Sequence, residues 1–419
     1  MAQLFRLCLL GVLAQASVAV SFAADELKLP LELTVAAGQR EHNDAIVEFP
    51  MPSKSVAQSL RLVETTGGKE SLVASQLDPQ AGRLVWVAGG QTPAGAKRTY
   101  HLLAGSPAAS PQVVMMDSGT ALEARFEDKP LLRYSKSHVE PAAGIDPKYG
   151  RSAHLHPVWT PSGAIVTDEF PPDHLHQSGI FFAFTKTKFE GRDVDFWNLA
   201  GGKGRVRFKE LKGTASGPVF GQFRAEHEHI DLTATGDQTL LGNKPGEGKV
   251  ALVEAWDVRI WNAGWKSGYW LMDITSRVSC AGESPLILPE YHYGGMAIRA
   301  ARPWTPEHVK FWTSEGDDRL KGNHTRPRWC DIRGAIDGKQ AGITLMTHPS
   351  NFRFPEPLRI HPTMPYMVYT PQFLGAWEIR PGSPHDSRYR FVVHDGELSA
   401  ETLERIWRDY AEPLMAIGG

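Results

Sequence analysis

The chain has 419 residues, enough for two or three domains or for one large all-β unit with an appendage. Lys plus Arg number 45 against 47 Asp plus Glu, a formal charge of −2. That leaves no electrostatic footprint for nucleic acid, and no polybasic run suits an anionic membrane. Gly (40) and Pro (30) are abundant, aromatics make up 10% with 12 Trp, and long helical patterns are scarce, which favours β structure over a helical bundle.

Residues 1–23, MAQLFRLCLLGVLAQASVAVSFA, read as a signal peptide. Arg6 precedes an apolar run from Leu7 to Val20, and Ser21 and Ala23 sit at −3 and −1 of a cleavage site before Ala24. The run is short for a membrane span, and no later stretch is longer and more apolar. The expected mature protein is therefore soluble and periplasmic or secreted, with a charge of −3 once Arg6 is removed. Its two cysteines, Cys280 and Cys330, either pair in an oxidising compartment or remain buried thiols.

Residues 24–110 form a first unit. LKLPLELTVAAG, AIVEFPMP, SLVASQLD, RLVWVAGG and RTYHLLAG are short β-rich runs closed by Gly, Pro or Asp, and Gly67-Gly68 is a turn. This spacing predicts a small β-sandwich, with Ala108-Ala109-Ser110-Pro111 as the linker. Residues 111–419 form the second unit. ALEARFED, LLRYSKS, GIFFAFTKTKF, GRVRFKELKG, VALVEAWDVRIWN, GYWLMDITSRVSC, AGITLMTH and YRFVVHDG are strands for two large stacked antiparallel sheets. SAETLERIWRDYAEP is the helical exception. Ser399 is its cap, and Leu403, Ile406, Trp407 and Tyr410 recur at helical spacing.

Four of the 16 histidines fall within 23 residues, as His154/His156 and His174/His176. Each pair is spaced i, i+2, so on a strand both rings share a face. Two imidazoles together can divide acid and base roles around a polar substrate, or ligate a metal. GRDVDFWNLAGGKG follows, where Asp195, Trp197 and Asn198 combine a ring face for sugar C–H groups with polar groups for hydroxyls. PEYHYGGMAIR supplies Tyr291, His292 and Arg299, the cation suited to a carboxylate or a developing enolate. A Pro-rich stretch then carries His348, Asn351, Arg353, Arg359, His361 and Tyr366. HExxH, CxxC, GxSxG and nucleotide-binding glycine motifs are absent, so neither a metal nor another cofactor is expected.

HPVWTPSG, PPDHLHQSGIFFAF, DFWN, YHYGGMAIR, THPSNFRFP and YRFVVHDGE together resemble the PmoA-like family of exported bacterial proteins, over residues 112–415. The name of that family points to a methane oxygenase membrane subunit, which needs several transmembrane helices that this sequence lacks. In strand pattern the family is similar to the galactose mutarotase-like supersandwich. The resemblance implies that fold, with a sugar held on a concave sheet by His, Arg, Tyr and acidic residues. The family motif DHPHHRG stands here as Asp173-His174-Leu175-His176-Gln177-Ser178-Gly179, so His174 and His176 match while Gln177 and Ser178 replace a His and an Arg.

The combined expectation is an exported all-β protein, a small sandwich followed by a supersandwich, acting on a carbohydrate by proton transfer. His174, His176, His292, Tyr291 and Arg299 are the catalytic candidates. His154, His156, Asp195, Trp197, Asn198, Asn351 and Arg353 are the substrate-binding candidates. The alternatives are a non-catalytic glycan-binding protein and a His-ligated metal protein. Oligomeric state is left open.

Overall fold

The computed structural model describes residues 27–52, 59–235 and 248–419. The expected signal peptide, 1–23, lies outside them. The first strands are β1 (Leu31–Ala36), β2 (His42–Pro50), β3 (Leu60–Thr66), β4 (Lys69–Val73), β5 (Ser75–Asp78), β6 (Arg83–Thr92) and β7 (Lys97–Ala104). Then come β8 (Val113–Asp117), β9 (Ala121–Phe126), β10 (Lys129–Ser135), β11 (Leu155–Val158), β12 (Ile180–Ala183), β13 (Thr187–Phe189), β14 (Arg192–Val194), β15 (Gly204–Ala215) and β16 (Phe220–Asp231). They continue as β17 (Lys249–Trp261), β18 (Tyr269–Cys280), β19 (Leu286–Leu288), β20 (Gly295–Arg299), β21 (Val309–Thr313), a helical turn α1 (Arg319–Gly322), β22 (Trp329–Ile336) and β23 (Lys339–Thr347). Last are β24 (Leu358–Ile360), β25 (Tyr366–Tyr369), β26 (Trp377–Ile379), β27 (His385–Asp395), helix α2 (Ala400–Ala411) and β28 (Leu414–Gly418).

Two eight-stranded sheets build the large unit. The front sheet runs β24-β25-β20-β12-β11-β10-β9-β8, and the back sheet runs β15-β16-β17-β18-β27-β23-β22-β21. Their facing sides share one core, with Leu132, Ile298 and Met367 from the front and Phe223, Ile274 and Phe391 from the back. The alternation in KVALVEAWDVRIW explains β17: Leu252, Trp256, Val258 and Ile260 are buried, while Val253, Ala255, Asp257 and Arg259 take the other face. A polar network crosses this core. The Tyr134 hydroxyl lies 2.7 Å from His227 Nε2. His229 Nε2 faces the Glu254 carboxylate at 2.8 Å, and Trp256 and Ser276 donate to its other oxygen at 2.5 and 2.6 Å. Burial alone would raise the Glu254 carboxyl, but the hydrogen bonds and charge of His227 and His229 outweigh it and hold the carboxyl below its usual range.

The outer side of the back sheet is also covered. Trp261, Leu271, Trp329 and Val392 pack there against Ile46 and Val85 of the first unit and against Leu403 and Ile406 of α2. Ser399 caps α2 as expected, its hydroxyl accepting from the Thr402 N–H at 3.1 Å. The first unit has the order β4-β3-β7-β1-β28-β2-β6-β5, and both halves of that order line a single core around Leu33, Val47, Trp86 and Tyr100. The expected division at 110/111 therefore needs one correction. β28, from the far end of the chain, pairs antiparallel with β1 and parallel with β2. Cys280 and Cys330 are free thiols.

Candidate functional site

Strand register identifies which face of the front sheet is open. Phe181 of β12 pairs with Ala297 of β20, and Arg299 of β20 pairs with Tyr366 of β25. The alternate residues face the back sheet, where Tyr369 meets Tyr389 at 6.5 Å. Phe181, Arg299 and Tyr366 therefore share the outer face. Leu155 pairs with Ile180 on the core side, so His154 and His156 also belong to the outer face. Loops rise over this face from 171–179, 195–203, 289–294 and 361–365.

Three histidines gather at the end of β20. His174 lies 5.5 Å from His176 and 5.8 Å from His361, ring to ring. Behind them Arg299, 4% exposed, donates to Asp173 at 2.9 and 3.1 Å and to Gln177 at 3.1 Å. Its Nε has no partner, and neither has the buried Nδ1 of His174. Burial, with Arg151, His174 and Arg299 adding to it, presses His176 down to about 3. Burial and the nearby Arg359 bring His361 to about 4. These imidazoles are therefore neutral at pH 7, free to accept a proton or a hydrogen bond.

Arg151 lies below them. It is 4% exposed, stacks 3.6 Å from the Trp197 ring and donates to the Trp197 carbonyl at 2.9 Å. Its Nε and Nη1 are buried without partners, and burial lowers its guanidinium to about 9. The Tyr293 and Tyr366 rings lie 5.6 Å apart, and burial raises both phenols. Beside this floor a cleft of about 510 Å³ is lined by Lys186, Asp195, Asn198, Lys203 and Tyr291. The Tyr291 and His292 rings lie 4.4 Å apart at a tilt, and Lys186 lies 5.2 Å over the Tyr291 ring. Burial lowers His292, and Arg359 and Lys186 add to that. Since Arg359 acts on His292 and His361 alike, the two histidine groups are neighbours across it.

Arg299 thus stands with His174 and His176, while Tyr291 and His292 stand at the adjoining cleft. Asp195 and Asn198 line that cleft, but Asp195 also holds the loop, accepting from the Trp197 and Asn198 N–H groups at 3.0 and 2.8 Å. Burial raises the Asp195 carboxyl. His156 is half-buried, hydrogen-bonded to Thr167 at 2.9 Å, and burial lowers it to about 4.

Four binding assignments are corrected. Trp197 is 1% exposed and stacked on Phe181 at 3.9 Å, so no ring face is left for a sugar. His154 has no exposure and its Nε2 faces the Glu169 carboxylate. Asn351 is 5% exposed, donates to Thr347, Glu356 and the Arg388 carbonyl, and accepts from the Arg388 N–H. The Arg353 guanidinium is occupied by the carbonyls of Pro371, Gly375 and Ala376. Asn351 and Arg353 brace loops and reach no ligand surface.

Arg151, Asp173 and Glu169 were missed among the candidates. Asp173 had a signal, standing inside DHLHQSG. Glu169 and Arg151 had none, because a single charge in a loop gives no period. Among the described residues, no three His, Cys, Asp or Glu side chains are grouped as a metal would need.

An all-β protein of stacked sheets with a polar, histidine-rich site on the outer face of one sheet is the class that fold and site define. Residues 121–408 match the family described as "Family of unknown function (DUF6807)", and the chain belongs to that family. No curated protein matches it. Among solved structures it is similar to an alpha-mannosidase from Enterococcus faecalis V583, with 8% identity and a TM-score of 0.42 over 93% of this chain and 46% of that one. A protein in the glycosyl hydrolase family 38 from Enterococcus faecalis is similar at 8% identity and a TM-score of 0.39, over 93% and 47%. The chain spans about half the length of these structures.

Proposed function

We propose that this is an exported carbohydrate-active enzyme that moves protons on a sugar at the outer face of the front sheet. One observation carries the reading. Neutral imidazoles and buried polar atoms without partners, on His174 and Arg299, gather on that one face. Buried donors and acceptors are nearly always satisfied, so such a group of orphans marks the place of a polar ligand. A polyhydroxylated ring supplies matching hydroxyls. The paired eight-stranded sheets support a supersandwich of the galactose mutarotase-like kind, within the PmoA-like resemblance.

The carboxylates nearby are already committed. Glu169 is held by His154, Asp173 by Arg299 and Asp195 by its own loop. Hydrolysis by two free carboxylates is thus less suited than proton transfer by imidazole. In that scheme His174 or His176 takes a proton from a sugar carbon or hydroxyl. Arg299 stabilises the negative charge left on the substrate, and Tyr291 or His292 returns a proton at the opposite side. Epimerisation and β-elimination both follow this course. His176 is a weak base because it is buried, with Arg151, His174 and Arg299 adding to that, and an acidic group on the substrate would raise its basicity.

The test is an oligosaccharide screen read by mass spectrometry, followed by His176→Ala. Turnover should fall by roughly 10²–10⁴-fold, with affinity changed much less. Full turnover in the variant would move the role to His292. Binding of oligosaccharide with no product from the wild-type protein would establish a glycan-binding protein instead.

A further inference from the structure

Arg151 borders a second cavity that the proposed reaction does not use. It holds about 360 Å³, at the small end of ligand sites, and lies where the 136–152 segment meets the edge strand β15. Five cations line it, Lys136, Arg151, Arg205, Arg207 and Lys209, against the single carboxylate of Glu228. Some of these cations are balanced. Lys136 pairs with Asp117, Arg207 donates to Glu228 at 2.6 and 2.9 Å, Lys209 reaches Glu226 at 2.5 Å, and Arg205 has a partner as well. Arg151 is not. It makes no ion pair among the described residues, although it is 4% exposed, and its Nε and Nη1 are buried without partners.

A buried cation that makes no ion pair is costly, and its two unpaired guanidinium N–H groups, Nε and Nη1, are charge-assisted donors suited to an oxyanion. The edge of β15 beside it is closed to another strand, because the Phe208 N–H donates to the Ser152 hydroxyl at 3.0 Å. The cavity is therefore walled by side chains and needs an anion to balance its deepest group. We propose that it is an oxyanion site, taking a carboxylate or a sulfate ester carried on a saccharide. The saccharide carrier rests on the functional reading above; the oxyanion site rests on Arg151 and its surroundings alone. Since Arg151 also faces His176, a charged chain can lie with its anion here and its reacting ring on the histidine face.

Calorimetric titration of the whole protein tests this with three probes: inorganic sulfate, uronate-containing or sulfated oligosaccharides, and a neutral oligosaccharide of equal length. Sulfate and the charged oligosaccharides should bind, weaken with added salt and raise the melting temperature, with the charged chain preferred over the neutral one. Arg205→Gln should weaken both anions by roughly tenfold or more, and Arg151→Lys should do the same by losing the buried Nε and Nη1 donors. His292→Ala, at the far cleft, should leave sulfate affinity unchanged. If Arg151→Lys does not fold, Arg205→Gln with Lys209→Gln decides the question. No response to sulfate or to any charged chain overturns the site and leaves the histidine reading intact. Sulfate binding without charged-oligosaccharide binding overturns the saccharide carrier. Equal affinity for the neutral chain overturns anion recognition.

Discussion

His176 and Trp197 show how differently two adjacent candidates can behave once side chains are placed. His176 keeps part of its surface and sits among cations, so its loss should be read in turnover. Trp197 is a core residue against Phe181 and Arg151. Trp197→Ala should cost about 3–5 kcal/mol of stability in urea unfolding, as large buried aromatics do. A variant of full stability but weak sugar binding would restore the stacking role. The histidines also set a pH dependence. His156, His176 and His361 are held near 4, 3 and 4, below the 6.5 of a free imidazole. The unfolded chain therefore takes up protons first as pH falls below 6.5, and the stability these groups contribute above that point is lost on the way down. At pH 5 each should account for about 1–2 kcal/mol. Depressed carboxylates such as Glu254 join as the pH falls into the ordinary carboxylate range and below it. Urea midpoints measured from pH 7.5 to 5 should thus fall steadily; a flat profile would show these imidazoles to be solvated.

Among the elements, β20 is the one on which the site depends most. It ends in Arg299 and begins at Gly295, and His292 and Tyr293 lead into it. Gly295 has φ +139°, and a Cβ there would lie 1.9 Å from the Tyr369 carbonyl oxygen of β25. Gly295→Ala must therefore part β20 from β25. Expected are a loss of about 2 kcal/mol or more and a fall in turnover beyond what stability explains, measured by unfolding and kinetics on the folded fraction. The glycine pair in YHYGGMAIR was legible as a point of backbone freedom, though not the strand it accommodates. Strands such as β17 and β18 were legible because charge and apolar residues alternate along them. The i, i+2 rule was equally sound for His154 and His156, which do share a face. It could not say what covers that face, and Glu169 closes over His154 from a loop without any repeating pattern. His361 and Arg359 belong to the site for the same reason that they were not committed to it. Their Pro-rich segment has no period, so only the fold brings it beside His174.

At the level of the whole molecule, the first unit and the site lie on opposite sides of the two stacked eight-stranded sheets. The back sheet carries the first unit and α2 on its outer side, and the front sheet carries the histidines on its own. The first unit therefore acts on the site only by stabilising the back sheet. β28 links these parts, since it follows α2 and enters the first unit between β1 and β2. Removing residues 413–419 should open that sheet, expose the core around Ala416 and lower stability by at least about 2 kcal/mol. Limited proteolysis should then cut first within 31–104, with the histidine face still folded. An unchanged cleavage pattern would mean that the first unit holds together without its borrowed strand.

The position of β28 also sets an order of assembly during translation. β1 and β2 leave the ribosome long before β28, the strand that lies between them. Until it arrives, both carry a row of unpaired amides and carbonyls along an empty slot, which is how one nascent chain captures a strand from another. The unit synthesised before the large one thus finishes folding after it, and in the interval it is the natural place for a chaperone to hold.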